Sequence, residues 1–361
     1  MAHSSISITS YHDFAESLLR ETGQRRYPYT CTFEVTPYCN LRCVHCYISN
    51  CHWEDDLLSY QELCRIMDEV AAEGCLWVLF TGGEPLLHPD FLDIYTYAKR
   101  KGLLITLFTN GTLITPEIAD YLKEWKPKLV EITLYGATKE TYERVTGVSG
   151  SYERCLRGIQ LLMERHIPLQ LKTVALTINK HEILAMKQYA QQLGVHFKWD
   201  PGITPRLDGG LESCQYRLTP EEVVEIEPAF PERIEDWHRF CQTHWGPFPD
   251  ESLYLCGAGK QHVFIDPFGR LSLCTSARSL SYNLRRGNFS EAWNVFLPEV
   301  LKQKASADAE CRGCELLSLC GRCAAWAELE TGSPNEKVEW LCRLIHLRVK
   351  AFDLKKVIPS K

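Results

Sequence analysis

From residue 31 onward, short apolar runs alternate with segments of helical periodicity, and this alternation restricts the chain to one class of fold. The run CTFEVT reads as a strand. SYQELCRIMDEVAAEG follows, with Ser59 and Glu62 at capping-box spacing, apolar residues at helical intervals and Gly74 as a stop. LWVLF, LLITLF and LVEITL read as three more strands, separated by helices in PDFLDIYTYAKRKG and TPEIADYLKEW, the second opened by Thr115 and Pro116. Helices over about 138–166 and 180–193, with the strands LQLKTVAL and VHFKWD, complete six strand and helix units. Strands that alternate with helices pair in parallel through right-handed crossovers, which predicts an α/β fold.

Parallel sheets of this kind place ligand chemistry at the C-terminal ends of their strands. The least ordinary sequences all fall there. CNLRCVHCY follows the first strand, TGGEP the second, TNGT the third, and LYGAT ends the fourth. In TGGEPLLHPDF, Gly82 and Gly83 allow close backbone approach to a ligand, and the carboxylate of Glu84 can hold a cation such as an amine. A glycine pair at a strand end is by itself an ordinary turn. The coincidence of four such stretches on one rim points instead to a site.

Cysteine usage defines its chemistry. The chain has 17 cysteines, an odd total and more than a reducing compartment would use for disulfides, so metal ligation is the better reading. Cys39, Cys43 and Cys46 form a triplet, whereas a structural zinc site normally closes with four ligands, so one position of a metal centre is left open. A second set, Cys256, Cys274, Cys311, Cys314, Cys320, Cys323 and Cys342, implies a second metal region. The composition, 45% hydrophobic and 24% charged, excludes a disordered chain. A net charge of −6 without a long basic run argues against nucleic acid, Lys350, Lys355 and Lys356 being read as a solvated face. The absence of a signal-like start and of 18 consecutive apolar residues predicts a cytoplasmic protein away from the membrane.

The spacing of CNLRCVHCY, with an aromatic after the last cysteine, resembles the cluster loop of the radical S-adenosylmethionine (SAM) superfamily. The resemblance implies a partial (β/α)6 TIM-like barrel in which Cys39, Cys43 and Cys46 hold a 4Fe-4S cluster and SAM chelates the remaining iron. By the same resemblance, Gly82, Gly83, Glu84 and Pro85 would receive the methionine amino group, Asn110 and Thr133 would lie near the ribose or carboxylate, and Tyr47 would sit beside the adenine. An external electron donor such as flavodoxin or ferredoxin is implied as well. Soft iron suits thiolates, and an ammonium suits a carboxylate.

The C-terminal cysteines resemble the SPASM domain of peptide- and protein-modifying members of the superfamily. Cys256, Gly269 and Cys274 match its first part, CRGCELLSLCGRC its cluster of four, and Cys342 its last cysteine. One departure is visible: CGRC has two residues where the pattern has three. Carried over position by position, Cys311, Cys314, Cys320 and Cys342 would hold one auxiliary 4Fe-4S cluster and Cys256, Cys274 and Cys323 another, with His262, substrate or solvent at its fourth iron. A pair of zinc knuckles is the bland alternative.

These readings divide the chain into an N-terminal extension (1–29), a radical SAM barrel (30–205), a bridging region expected to shape the substrate cavity (206–250), a SPASM domain (251–350) and a tail (351–361). The implied enzyme generates a 5′-deoxyadenosyl radical and acts on a ribosomally made peptide, by oxidation, crosslinking or epimerisation. A small-molecule enzyme, for example of tetrapyrrole synthesis, is the alternative, and a noncatalytic iron-sulfur or zinc protein a third. With only about 30 residues before the first strand, a peptide would bind the barrel rim or arrive on a separate recognition protein. Cys214 and Cys241 could present a thiol to the cavity, and Trp199 and Asp200 are expected at the barrel mouth. Cys64, Cys75 and Cys155 read as buried packing.

Overall fold

A computed structural model describes residues 26–48, 56–247 and 251–357. Most of the expected N-terminal extension, Cys51, and the end of the tail after residue 357 lie outside the described residues.

The six units form in the predicted order. Strands β1 (Thr30–Glu34), β2 (Trp77–Thr81), β3 (Leu104–Thr109), β4 (Leu129–Thr133), β5 (Leu169–Val174) and β6 (His196–Asp200) alternate with helices α1 (Tyr60–Ala72), α2 (Phe91–Arg100), α3 (Pro116–Glu124), α4 (Lys139–Thr146), α5 (Ser151–Glu164) and α6 (Ile183–Gln192). The helices expected over about 138–166 are two, divided where Gly147 and Gly150 both take left-handed backbone between α4 and α5. Helix α1 starts at the capping box of Ser59 and Glu62 and buries Leu63, Cys64, Ile66, Met67 and Val70. Each such side chain contributes about 1.5–3 kcal/mol when fully buried. Phe33, Phe80, Ile105, Leu107 and Val130 are buried on the helix side of the strands, and their opposite faces enclose the interior.

The sheet does not stop at β6 and β1. Its order is β6-β5-β4-β3-β2-β1-β7-β8-β9, with β7 (His262–Ile265) parallel to β1 and followed by antiparallel β8 (Arg270–Ser272) and β9 (Tyr282–Asn283). The cysteine-rich part is therefore built onto the barrel sheet. Helices α7 (Pro220–Ile226), opened by the capping box of Thr219 and Glu222, and α8 (Pro231–His244) pack with α9 (Glu339–Ala351). Glu227, fully buried, accepts hydrogen bonds from Arg348 at 2.7 and 3.0 Å and pairs with Arg233 at 3.1 Å. No helix among the described residues is long and apolar enough to cross a membrane.

Candidate active site

The strand ends and the segment after β1 enclose a cavity of about 790 Å³. Cys39, Cys43, Cys46, Tyr47, Gly82, Gly83, Asn110 and Thr133 all line it, so sequences far apart in the chain meet as expected. The triplet segment is held by its own backbone. Arg42 and Val44 donate to the carbonyls of Thr146 and Val145 at the end of α4, Cys46 donates to Cys43, and Leu207 donates to the Tyr47 carbonyl at 2.9 Å. The Cys39 sulfur accepts from the Leu41 amide at 3.4 Å and the Asn110 side chain at 3.8 Å, and the Tyr135 hydroxyl bonds Cys43.

Burial pushes the Cys39 thiol up to about 11, with the Glu84 carboxylate and the Cys46 thiol adding to the rise. Burial and then its two neighbours push Cys43 up further. Three gathered thiols, two of which ionise reluctantly alone, are a donor set that calls for a cation, and each could hold one iron.

Gly82 and Gly83 are required for a different reason than ligand approach alone. A Cβ on Gly82 would stand 2.4 Å from the Thr36 carbonyl oxygen, and one on Gly83 would stand 2.1 Å from that of Tyr38. The glycines let the end of β2 lie against the exit of β1, where Gly83 and Glu84 donate to the carbonyls of Thr36 and Tyr38 at 2.8 Å each. Both still face the cavity.

Glu84 departs from expectation. Its carboxylate is completely buried, and Glu84 is not among the residues that line the cavity. It accepts from the Thr109 hydroxyl and the Asn110 amide at 2.7 Å each and from the Leu86 amide at 3.3 Å, clamping the ends of β2 and β3 together. Burial pushes its carboxyl up to about 7 against these donors. Pro85 is likewise buried, opening a short 3-10 turn over Pro85–Leu87. Asn110 reaches the cavity, but its amide is spent on Cys39 and on Asn40 (2.9 Å), and its oxygen accepts from the amide and hydroxyl of Thr112. It positions the triplet segment.

The other expected cavity residues also divide. Trp199 is buried on the outer side of β6, against Phe230 and under the Arg233 guanidinium, whereas Asp200 is exposed and caps the turn at Gly202. Cys241 is packed among Leu316, Leu319 and Ile345, and Cys214 accepts from Arg217 at 3.0 Å away from the cavity wall. No described residue of 206–250 lines the cavity; Gly202, Ile203 and Thr204, just before it, do. The bridge spends its apolar face on the C-terminal helix instead. Cys64, Cys75 and Cys155 are buried, as read.

Sequence reasoning missed the charges inside the barrel. Lys172 on β5 lines the cavity, its ammonium 3.3 Å from Glu131 of β4, and Lys198 of β6 reaches the same carboxylate at 2.9 Å. A signal was available: strands of parallel sheets read as near-continuous apolar runs, and three successive strands here each carry a charge in mid-run.

The seven C-terminal cysteines gather in two sets. Cys311, Cys314, Cys320 and Cys342 line one small cavity. The thiols of Cys256, Cys274 and Cys323 are near one another, and all three bear on Tyr254. Thr275, next to Cys274, lines the main cavity, and so does His262. The antiparallel register Phe264↔Ser272 carries Cys274 back toward His262. Among the described residues no three or more His, Cys, Asp or Glu side chains are drawn close enough to hold one metal ion, so the thiol sets are gathered more widely than a single ion needs.

Known proteins agree with this geometry. Residues 33–190 match the Radical SAM superfamily. The chain is 30% identical over 321 residues to the mycofactocin maturase MftC of Mycobacterium tuberculosis, covering 85% of this chain and 81% of that protein. The chain belongs to the radical SAM superfamily. This radical SAM enzyme is also 28% identical over 342 residues to an AdoMet-dependent heme synthase of Methanosarcina barkeri, covering 86% of the chain and 95% of the relative. In fold it resembles Streptococcus suis SuiB bound to precursor peptide SuiA, with TM-score 0.70 and 16% identity over 95% of this chain and 83% of that one. Membership in the superfamily carries a 4Fe-4S cluster and SAM as cofactors.

Proposed function

We propose that the enzyme is a maturase that abstracts hydrogen from a ribosomally made peptide, with Cys39, Cys43 and Cys46 as the ligands of the cluster that binds SAM. The observation that carries the catalytic part is the convergence of these thiols with Gly82, Gly83, Thr133 and Tyr47 on one cavity at the strand ends. When bound, the cluster supplies the electron that cleaves the SAM sulfonium and releases the radical. The chain's own contribution is placement. The Gly82 and Gly83 backbone offers carbonyls to the methionine amine, Thr133 a hydroxyl to the ribose or carboxylate, and Tyr47 a face to the adenine, while apolar Leu79, Phe108 and Val174 exclude water.

Two auxiliary 4Fe-4S clusters belong to this reading, one on Cys311, Cys314, Cys320 and Cys342, the other on Cys256, Cys274 and Cys323 with His262, substrate or solvent at its fourth iron. The second set borders the reaction cavity through Thr275, which suits removal of an electron from a substrate radical. On this division residues 30–205 are the catalytic barrel, 206–250 a bridge and 251–350 the auxiliary-cluster region, grown from the barrel sheet at β7. A cytoplasmic location, a flavodoxin or ferredoxin as electron donor and a separate peptide-recognition protein complete the proposal. Support for the peptide comes from the likeness to the mycofactocin maturase. Likeness to the heme synthase over nearly its full length favours a tetrapyrrole as second reading.

The anaerobically reconstituted enzyme decides between them. Given SAM and a reductant, 5′-deoxyadenosine formation and a substrate mass change should appear with a ribosomally made precursor peptide. The same response to a tetracarboxylate iron porphyrin, and none to the peptide, would establish the second reading.

A further inference from the structure

The barrel interior holds an unbalanced set of charges. Lys172, Lys198 and Glu131 lie on adjacent strands, with Lys172 in register with Thr133 on one side and Lys198 on the other. Glu131 is buried and shared: Lys198 straddles both of its oxygens at 3.0 and 2.9 Å, and the Lys172 ammonium stands 3.3 Å from Oε2. Two ammonium groups thus divide one carboxylate. Lys172 is the more enclosed of the two, its side chain 21% exposed against 47% for Lys198, and its ammonium lies 2.9 Å from the Phe108 ring centroid, against an apolar surface.

A buried ammonium with half a counter-ion is costly, and the cost falls when an anion arrives. Among the described residues no Asp or Glu lines the main cavity, whereas Lys172 and Arg42 do. Desolvation by burial holds the Lys172 amine down to about 8, with Glu131 raising it, Lys198 lowering it and Asp200 raising it again; Asp200 is exposed at the end of β6, so its carboxylate is met by solvent and Glu131 is the enclosed counter-ion. The cofactor positions proposed above lie at the strand ends, around Cys39, Gly82 and Tyr47. The Lys172 side chain instead leans toward Glu131 and Phe108, which pair with each other across β3 and β4 one step nearer the barrel interior than Thr133. The charge deficit therefore sits on the inner wall below the cofactor position.

We propose that Lys172, braced by Glu131, is an anion subsite that receives a carboxylate of the substrate and so sets which carbon faces the cofactor. It rests on the reading of this cavity as the reaction chamber. A peptide carboxylate and a tetrapyrrole carboxylate present the same chemistry to it. Glu131 is a positioning residue in this scheme: it holds the Lys172 ammonium over Phe108 while sharing its own charge with Lys198.

Competitive labelling tests this without turnover. The anaerobic holoenzyme is treated with trace acetic anhydride at pH 8, and acetylation of Lys172 is followed by peptide mass spectrometry relative to an exposed lysine such as Lys355. N-acetyl amino acids at millimolar concentration, or a tetracarboxylate porphyrin at lower concentration, should slow Lys172 labelling at least threefold, while the corresponding amides or the porphyrin methyl ester should not. Protection by one class of carboxylate and not by the other identifies its source. In Glu131→Gln the same carboxylate should protect at severalfold lower concentration. Equal protection by acid and amide, or by neither, would overturn the anion subsite. Complete protection by SAM alone, with no further effect of added carboxylate, would assign the lysine to the cosubstrate and overturn it equally. Failure of the peptide-maturase reading would appear separately, as absence of a substrate mass change.

Discussion

Replacement of Glu84 separates a structural clamp from a cofactor contact. Its carboxylate takes three donors in a fully buried position: the Thr109 hydroxyl, the Asn110 amide and the Leu86 amide. Hydrogen bonds to a charged acceptor contribute about 1.5–3 kcal/mol each, the Leu86 bond at 3.3 Å at the weak end, and part of this is offset by the desolvation of the carboxylate. In Glu84→Ala the buried Thr109 hydroxyl and Asn110 amide lose their acceptor, and a net loss of roughly 3–4 kcal/mol is expected. At about 2 °C per kcal/mol for a chain of this size, the melting temperature should fall by about 6–8 °C. Glu84→Gln keeps the volume and one acceptor and should cost about 1–2 kcal/mol, or about 2–4 °C. The sign with pH follows from a folded-state carboxyl raised from 4.5 to about 7. Stability linked to that proton is fully present below 4.5 and lost as pH rises through 7, so the deficit of Glu84→Gln should be larger at pH 5 than at pH 7.5. Anaerobic thermal melts, paired with SAM binding followed by the cluster's electron paramagnetic resonance, read both properties. An unchanged melt in Glu84→Ala together with lost SAM binding would refute the clamp and place the carboxylate on the cosubstrate.

Replacing Cys39, Cys43 and Cys46 together by alanine should abolish 5′-deoxyadenosine while leaving about eight of roughly twelve irons per chain; retained product would remove them from the cluster. Only about four irons with zinc making up the difference, by anaerobic metal analysis of the parent enzyme, would turn the C-terminal region into a structural zinc module. His262→Ala should alter the spectrum of one auxiliary cluster alone, and an unchanged spectrum would leave that iron to substrate or solvent. Arg348→Met strands the buried Glu227 with Arg233 as its remaining partner and should cost about 3–5 kcal/mol in a denaturant melt; a cost under 1 kcal/mol would show that Arg233 suffices.

Local rules determined much of this protein from the sequence by itself. The capping boxes at Ser59 and Thr219 and the alternation of apolar runs specify where helices and strands begin. Right-handed parallel pairing then brings the triplet, the glycine pair, Asn110 and Thr133 to one rim, because each follows or ends its strand. Other outcomes depended on which face of an element finds a partner, and that is settled only when the layers pack. Trp199 and Cys241 turned to the outer layer because the bridge buries its apolar side against the C-terminal helix. Glu84 turned inward because the buried Thr109 hydroxyl and Asn110 amide at the end of β3 needed an acceptor, a demand that exists only once β2 and β3 lie side by side. The joining of β7 to β1, and the meeting of Lys172, Glu131 and Lys198, likewise required the closed sheet. Residues at a distance of tens of positions become neighbours through strand register, and register is a property of the assembled barrel rather than of any one segment.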